Sequence, residues 1–118
     1  MMQGALRMKN SLKEFLEYCD SEEELNYYIR INADWNETSF VEFEKLARNV
    51  LTDYADEVFY PKVFVYQFMY TVQSTLDIIT NPEYQHAWPK DVYGERIKRL
   101  KKLRLDFIMA AGNAPKVD

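Results

Sequence analysis

The sequence predicts an all-α protein, an antiparallel bundle of about five helices, of which two are short and three are long. Three observations favour this fold class: helix start signals recur along the chain, apolar residues follow them at helical spacing, and prolines and glycines separate the segments. At 118 residues with 47% hydrophobic content, the chain has the size and composition of one globular domain. We expect a flexible leader over residues 1–9, a single helical domain over 10–112 and a frayed tail over 113–118.

The two short helices are predicted from capping boxes, in which a Ser is followed three residues later by a Glu. Ser11 with Glu14 begins the first helix, and Ser21 with Glu24 begins the second. The apolar stripe of the first helix comprises Leu12, Phe15, Leu16 and Cys19. The second helix is expected to end in the turn-rich stretch 32–37, so both helices are short.

The third helix has the clearest pattern. Ser39 with Glu42 forms another capping box, and the apolar residues that follow fall within an arc of about 100° on a helix. These residues are Phe40, Phe43, Ala47, Val50, Leu51, Tyr54 and Val58. The helix is expected to end near Phe59, because Pro61 disfavours the α conformation at the residue before it.

Residues 61–80 are ambiguous between a strand and a helix. Their β-branched and aromatic content suits a strand, but the run has no turn residue and is long for a strand. As a helix beginning at Pro61, the segment separates into two faces. The apolar face holds Phe64, Val65, Phe68, Met69, Val72, Leu76 and Ile79, and the opposite face holds Tyr66, Gln67, Tyr70, Gln73, Ser74 and Asp77. We therefore predict a helix.

The last helix is expected to begin after Asp91, as its cap, and to run to about Ala111, with Gly112 as the C′ residue that ends it. Its inner face would carry Tyr93, Ile97, Leu100, Phe107 and Ala111, and its outer face Lys98, Lys101, Lys102, Leu105 and Met109. For the core as a whole, we expect burial of Phe43, Val50, Tyr54, Phe68, Val72 and Leu100, which occupy the centres of the strongest apolar stripes.

Charge is segregated along the chain. Residues 10–60 carry a net charge of −9 and residues 61–118 a net charge of +3, with six basic residues in the segment 96-RIKRLKKLR-104. Such segregation informs about partners rather than fold. The acidic surfaces of the second and third helices should meet the basic last helix, either within one chain or between two copies.

A basic helix with exposed apolar residues indicates a surface that binds a partner. The predicted partner-binding residues are Arg96, Lys98, Lys101, Lys102, Leu105 and Met109. The alternative is a basic rim packed against the acidic half of the same molecule. We expect a non-enzymatic module that binds another protein, as small acidic inhibitors, immunity proteins and adaptors of phages and mobile elements do; a homodimer is a further option. The alternative function is a nucleic-acid-associated regulator using the basic helix, although a pI near 5.1 argues against it.

Arg104 lies near the centre of the apolar face, where an unpaired charge would be costly. We therefore predict a buried polar node of Arg104 with Asp77, Tyr70 and Gln73. The alternative is that Arg104 and the tyrosines line a pocket for an acidic ligand or an acidic side chain.

The sequence gives little support for catalysis or for a cofactor. Glu83 and His86 have the spacing of a di-iron motif, but such a site needs this pair twice and the chain has one His. Cys19 lies on an apolar stripe, where a free thiol usually packs as a small hydrophobe. We predict no catalytic residue, no cofactor and no metal. One Cys, no signal-peptide pattern and no apolar run of membrane-spanning length together favour a cytoplasmic protein with no membrane partner.

Overall fold

The computed structural model describes residues 8–84 and 88–113, and every regular element in these segments is an α-helix. The helices are α1 (Asn10–Cys19), α2 (Leu25–Asn32), α3 (Glu37–Asp53), α4 (Lys62–Ile79) and α5 (Lys90–Gly112). The predicted fold class is confirmed, with two short helices followed by three long ones. The ambiguous segment 61–80 is helical over most of its length, as predicted.

The three long helices and the α1–α2 pair form the four sides of the bundle. α3 and α4 lie across the core from each other, where Phe43 stacks on Phe68; the α1–α2 pair on one side and α5 on the other side pack against both. Consecutive long helices are antiparallel, since Gln73 of α4 contacts Arg104 of α5 and Phe64 contacts Phe107. α3 and α5 run parallel, because Glu37 pairs with Arg99 and Arg48 pairs with Asp106 further along both helices.

Phenylalanine side chains from four helices fill the centre of the bundle. The ring centres of the stacked pair Phe43 and Phe68 are 5.8 Å apart, and those of the stacked pair Phe68 and Phe107 are 4.4 Å apart. The ring centres of Phe15 and Phe64, which meet edge to face, are 5.2 Å apart. All six residues expected in the core are buried, which confirms that part of the prediction. Offset ring contacts of this kind add to the area that the rings remove from water.

The three capping-box predictions are wrong, because another residue occupies the N-cap position of each helix. α1 begins after Lys9, and the hydroxyl of Ser11 is buried without a hydrogen-bond partner among the described residues. Glu24, rather than Ser21, caps α2, because its carboxylate accepts from the backbone N–H groups of Asn26 and Tyr27. Asn36, rather than Ser39, caps α3. Ser39 instead contacts the hydroxyl of Tyr18 at 2.8 Å and so ties α1 to α3.

Several helix ends also differ from the predictions. α3 ends at Asp53, and the amino group of Lys9 donates to the Asp53 carbonyl at 2.6 Å, which satisfies one of the last carbonyls of the helix. Val58 is therefore on an exposed loop and not on the α3 stripe. Asp91 lies inside the first turn of α5, and Gly112 is helical.

Of the predicted leader, the structure describes Met8 and Lys9. Lys9 belongs to the predicted leader, yet it packs against the end of α3, its amino group lying 4.8 Å from the centre of the Tyr54 ring. Residues 1–7 of the leader and residues 114–118 of the tail lie outside the described residues.

Candidate protein-binding surface

The outer face of α5 carries the sequence-predicted partner surface. Lys98, Lys101 and Lys102 are exposed, and Leu105 and Met109 lie beside them with exposed fractions of 52% and 56%. Sequence reasoning missed Ile108, which is also 52% exposed. Its helical position next to Leu105 and Met109 makes a continuous apolar patch at the C-terminal half of α5. The α5 outer face consists of Lys98, Lys101, Lys102, Leu105, Ile108 and Met109.

The inner side of α5 is rotated from the predicted orientation. The fully buried residues are Leu100 and Leu103, with Phe107 nearly so, whereas Arg104 is only half-buried. The reason is that α5 packs against both α3 and α4, so its buried side is the one between these two helices. Leu103 rather than Arg104 is therefore fully buried on the inner side of α5.

Arg96 and Arg99 are engaged within the chain. The guanidinium of Arg96 lies 5.1 Å from the ring centre of Trp35 and 4.4 Å from that of Trp88. Arg99 donates to both carboxylate oxygens of Glu37, at 2.9 and 2.7 Å. Hydrogen bonding to Arg99 lowers the pKa of Glu37, an effect that partial burial opposes. Arg96, a predicted partner-binding residue, is therefore occupied by intramolecular cation–π contacts.

Asp106 forms a second ion-pair group between α5 and α3. Its carboxylate accepts from Lys102 at 2.9 Å and lies 3.0 Å from Arg48 of α3. Hydrogen bonds from Lys102 and then Arg48 lower the pKa of Asp106. The expected contact between acidic and basic helices is thus made within the chain at Glu37 and Arg99, while the pair of Arg48 and Asp106 has the charges reversed.

The predicted polar node is present as a chain of contacts, but it is not buried. Arg104 donates to the side-chain oxygen of Gln73 at 3.1 Å, and Gln73 donates to Asp77 at 3.0 Å. Gln73 and Asp77 are exposed, so the predicted burial is wrong. Tyr70 is 44% exposed and stacks on Tyr66, with ring centres 5.9 Å apart. The contact of Arg104 with Gln73 joins the α5 residue of the predicted node to its α4 residues.

The outward side of α4 differs in character from that of α5. It presents Val63, Tyr66 and Tyr70, with exposed fractions of 39%, 62% and 44%. Among the eighteen residues of α4, Lys62 and Asp77 are the charged ones, one near each end. Val63, Tyr66 and Tyr70, together with Lys62 and Asp77 at the two ends, form the α4 stripe.

An open cleft of about 600 Å³ lies between α1 and α3. Glu14, Glu17, Glu23 and Glu42 line it, together with Tyr18 and other uncharged side chains. Glu42 is paired with Lys45 at 3.4 Å and Glu14 accepts from Asn10 at 2.6 Å. The cleft thus carries four of the thirteen acidic residues in residues 10–60.

Cys19 and the Glu83–His86 spacing are the features that the sequence analysis considered for catalysis or metal binding. Burial, with smaller contributions from Glu24 and Asp20, raises the pKa of the Cys19 thiol to about 12, so a thiolate is scarce at neutral pH. Within residues 8–84 and 88–113, His, Cys, Asp and Glu side chains form no group of three that could hold a metal ion. His86 lies outside the described residues, so the structure gives no geometry for the Glu83–His86 spacing that the sequence analysis considered and rejected.

None of the helices in the described part of the chain combines the length and the hydrophobicity that crossing a membrane requires. Comparisons with protein-family models, with curated proteins and with solved structures find no match to this chain.

Proposed function

We propose that this protein is a non-enzymatic helical module that binds another protein through the α5 outer face, in the manner of an inhibitor, immunity protein or adaptor. One observation carries the proposal: Leu105, Ile108 and Met109 are each more than half exposed and adjacent on one helix. Single exposed apolar side chains are common, but adjacent large ones rimmed by charge are characteristic of interaction sites.

The composition of the face supports a protein partner. Apolar side chains at the centre of an interface supply most of the binding energy once water is excluded, and surrounding charges mainly increase the association rate. In the α5 outer face, the apolar residues form one continuous patch, and Lys98, Lys101 and Lys102 border it on its N-terminal side. A partner with an apolar ridge bordered by carboxylates would complement this arrangement.

Binding to nucleic acid is the second candidate, and the contacts of the basic residues weigh against it. Of the six bases in residues 96–104, Arg96 and Arg99 are engaged with side chains of the α2–α3 region, and Lys102 is paired with Asp106. A phosphate-binding helix needs several cations that are available together. Among the described residues, this leaves Lys98, Lys101 and Arg104 as the cations of this segment without an ion pair or a cation–π contact, half of the six that the sequence provides. We propose a cytoplasmic location for this module, in keeping with its single Cys, which cannot form an intrachain disulfide.

The test compares two variants in a pull-down of tagged protein from cells of its native host. One variant replaces Leu105 and Met109 with Ser, and the matched variant replaces Lys98, Lys101 and Lys102 with Gln. We expect the apolar variant to lose a co-purifying protein that the parent retains. The lysine variant should still bind it, with a slower association rate and a weaker salt dependence.

The opposite pattern would overturn the proposal. Loss of binding only in the lysine variant, with a steep salt dependence and nuclease-sensitive material in the eluate, would establish the nucleic-acid alternative. Circular dichroism melts check that both variants remain folded, which is expected because all five side chains are exposed.

A further inference from the structure

We infer that the α4 stripe is a self-association surface, on which α4 of a second copy of this chain packs in the antiparallel direction. The inference concerns a different helix from the proposed partner surface and does not depend on it. Its basis is the placement of charge and of aromatic side chains on the exposed side of α4.

The α4 stripe has the spacing of a helix–helix seam. Val63, Tyr66 and Tyr70 are separated by three and then four residues, and Gln73 and Asp77 continue the same spacing. This alternation keeps side chains on one side of a helix and is the pattern by which two helices pack together. Inside the molecule, α4 already packs with its opposite side, which includes the fully buried Phe64, Phe68 and Val72.

The composition of the stripe also suits an interface. Charged residues make up 29% of the chain, yet α4 has Lys62 and Asp77 alone over eighteen residues. Tyrosine on an exposed helix face provides a large contact area at low cost in side-chain entropy, and it is enriched at interfaces, whereas charge is depleted at their centres. The stacked rings of Tyr66 and Tyr70 are therefore arranged as the centre of a contact.

The two charges determine which occupant fits and in which direction. Lys62 and Asp77 are fifteen residues apart on one helix, about 22 Å, so they cannot pair within one chain. When two copies of α4 pack antiparallel about a twofold axis near Tyr70, Lys62 of each copy lies level with Asp77 of the other. Parallel packing would instead place like charges together at both ends. The stripe is thus complementary to itself in the antiparallel direction.

Charge reversal gives a test that a single chain cannot mimic. Lys62→Glu places two carboxylates together at both ends of the antiparallel pair, and Asp77→Lys places two ammonium groups there. Each variant alone should weaken self-association by about tenfold, because two exposed ion pairs become repulsions. An equimolar mixture of the two variants should associate as well as the parent, since every contact between unlike variants joins opposite charges.

Sedimentation velocity over a dilution series measures these effects. The parent should show a concentration-dependent monomer–dimer equilibrium, and Tyr70→Ser should remain monomeric. Lys13→Glu, at an exposed position of α1, should behave as the parent. A parent that stays monomeric at every concentration overturns the inference. Self-association that the mixture fails to restore, or that Lys13→Glu weakens as much as Lys62→Glu, overturns the antiparallel α4 contact even if a dimer exists.

Discussion

The two sides of α5 contain the same kind of charge but use it differently. The three arginines of the segment 96–104 face the bundle or its edge, and each contacts another part of the chain: Arg96 contacts Trp35 and Trp88, Arg99 contacts Glu37, and Arg104 contacts Gln73. The three lysines of the same segment are exposed on the outer side, and Lys102 alone among them has an ion pair in the described structure.

The difference follows from the chemistry of the two side chains. A guanidinium is planar, weakly hydrated and able to donate in two directions, so it stacks on indole rings and binds both oxygens of a carboxylate. An ammonium group is strongly hydrated, so a lysine side chain is favoured where its charge stays in contact with water. One basic segment therefore contributes to docking of α5 through its arginines and leaves its lysines available for a partner.

The largest expected difference between the two sides concerns their apolar residues. Phe107 stacks on Phe68 and is nearly buried, whereas Met109 is exposed two residues later. Phe107→Ala should lower the free energy of unfolding by about 3–5 kcal/mol, and Met109→Ala should change it by less than about 0.5 kcal/mol. Urea denaturation of both variants measures this. Equal losses would show that α5 does not pack as described.

Substitutions of the basic residues on the two sides of α5 should differ in the same direction, with a smaller effect on the free energy of unfolding. Replacing Arg96 with Met removes the contacts with Trp35 and Trp88, and we expect a loss of about 1–2 kcal/mol in the free energy of unfolding. The matched variant Lys98→Met, on the outer side, should be within about 0.5 kcal/mol of the parent. Quenching or a spectral shift of tryptophan fluorescence in the Arg96 variant alone would locate the change. If Lys98→Met is the more destabilising, the assignment of inner and outer sides is wrong.

The smallest effect is electrostatic and depends on pH. Because Arg99 lowers the pKa of Glu37 in the folded protein, the pair stabilises the fold above the unfolded-state pKa of about 4.3, and this stabilisation is lost as the pH falls through the folded-state pKa. Glu37 is half exposed, so the contribution is at most about 1 kcal/mol. Glu37→Gln should therefore be less stable than the parent at neutral pH and equal to it in acid.

Chemical denaturation at a series of pH values tests this difference. Both proteins retain Glu24, whose pKa burial raises, so its opposite pH dependence cancels in the comparison. Glu22→Gln, at an exposed position, serves as the control. A parent-minus-variant difference that is independent of pH would show that the Glu37–Arg99 pair does not contribute through its charge.

The amino-acid sequence by itself determined the helical class, the number of helices and most of the core. Periodic apolar positions such as Phe43, Phe68 and Leu100 are decisive because burying them is the main source of stability, and helical geometry converts their spacing directly into a face. The outward direction of Leu105 and Met109 followed from the same periodicity.

The tertiary structure alone decided the features that depend on two elements meeting. Ser39 contacts Tyr18 of another helix instead of capping α3, so local capping rules failed there. The rotation that buries Leu103 and leaves Arg104 at the edge arises because α5 packs between α3 and α4. The exposure of Ile108 and of the α4 stripe depends on which sides of α4 and α5 remain uncovered. Periodicity identifies a face of a helix, but the neighbouring helices determine how much of that face is covered, and their positions are not encoded in local spacing.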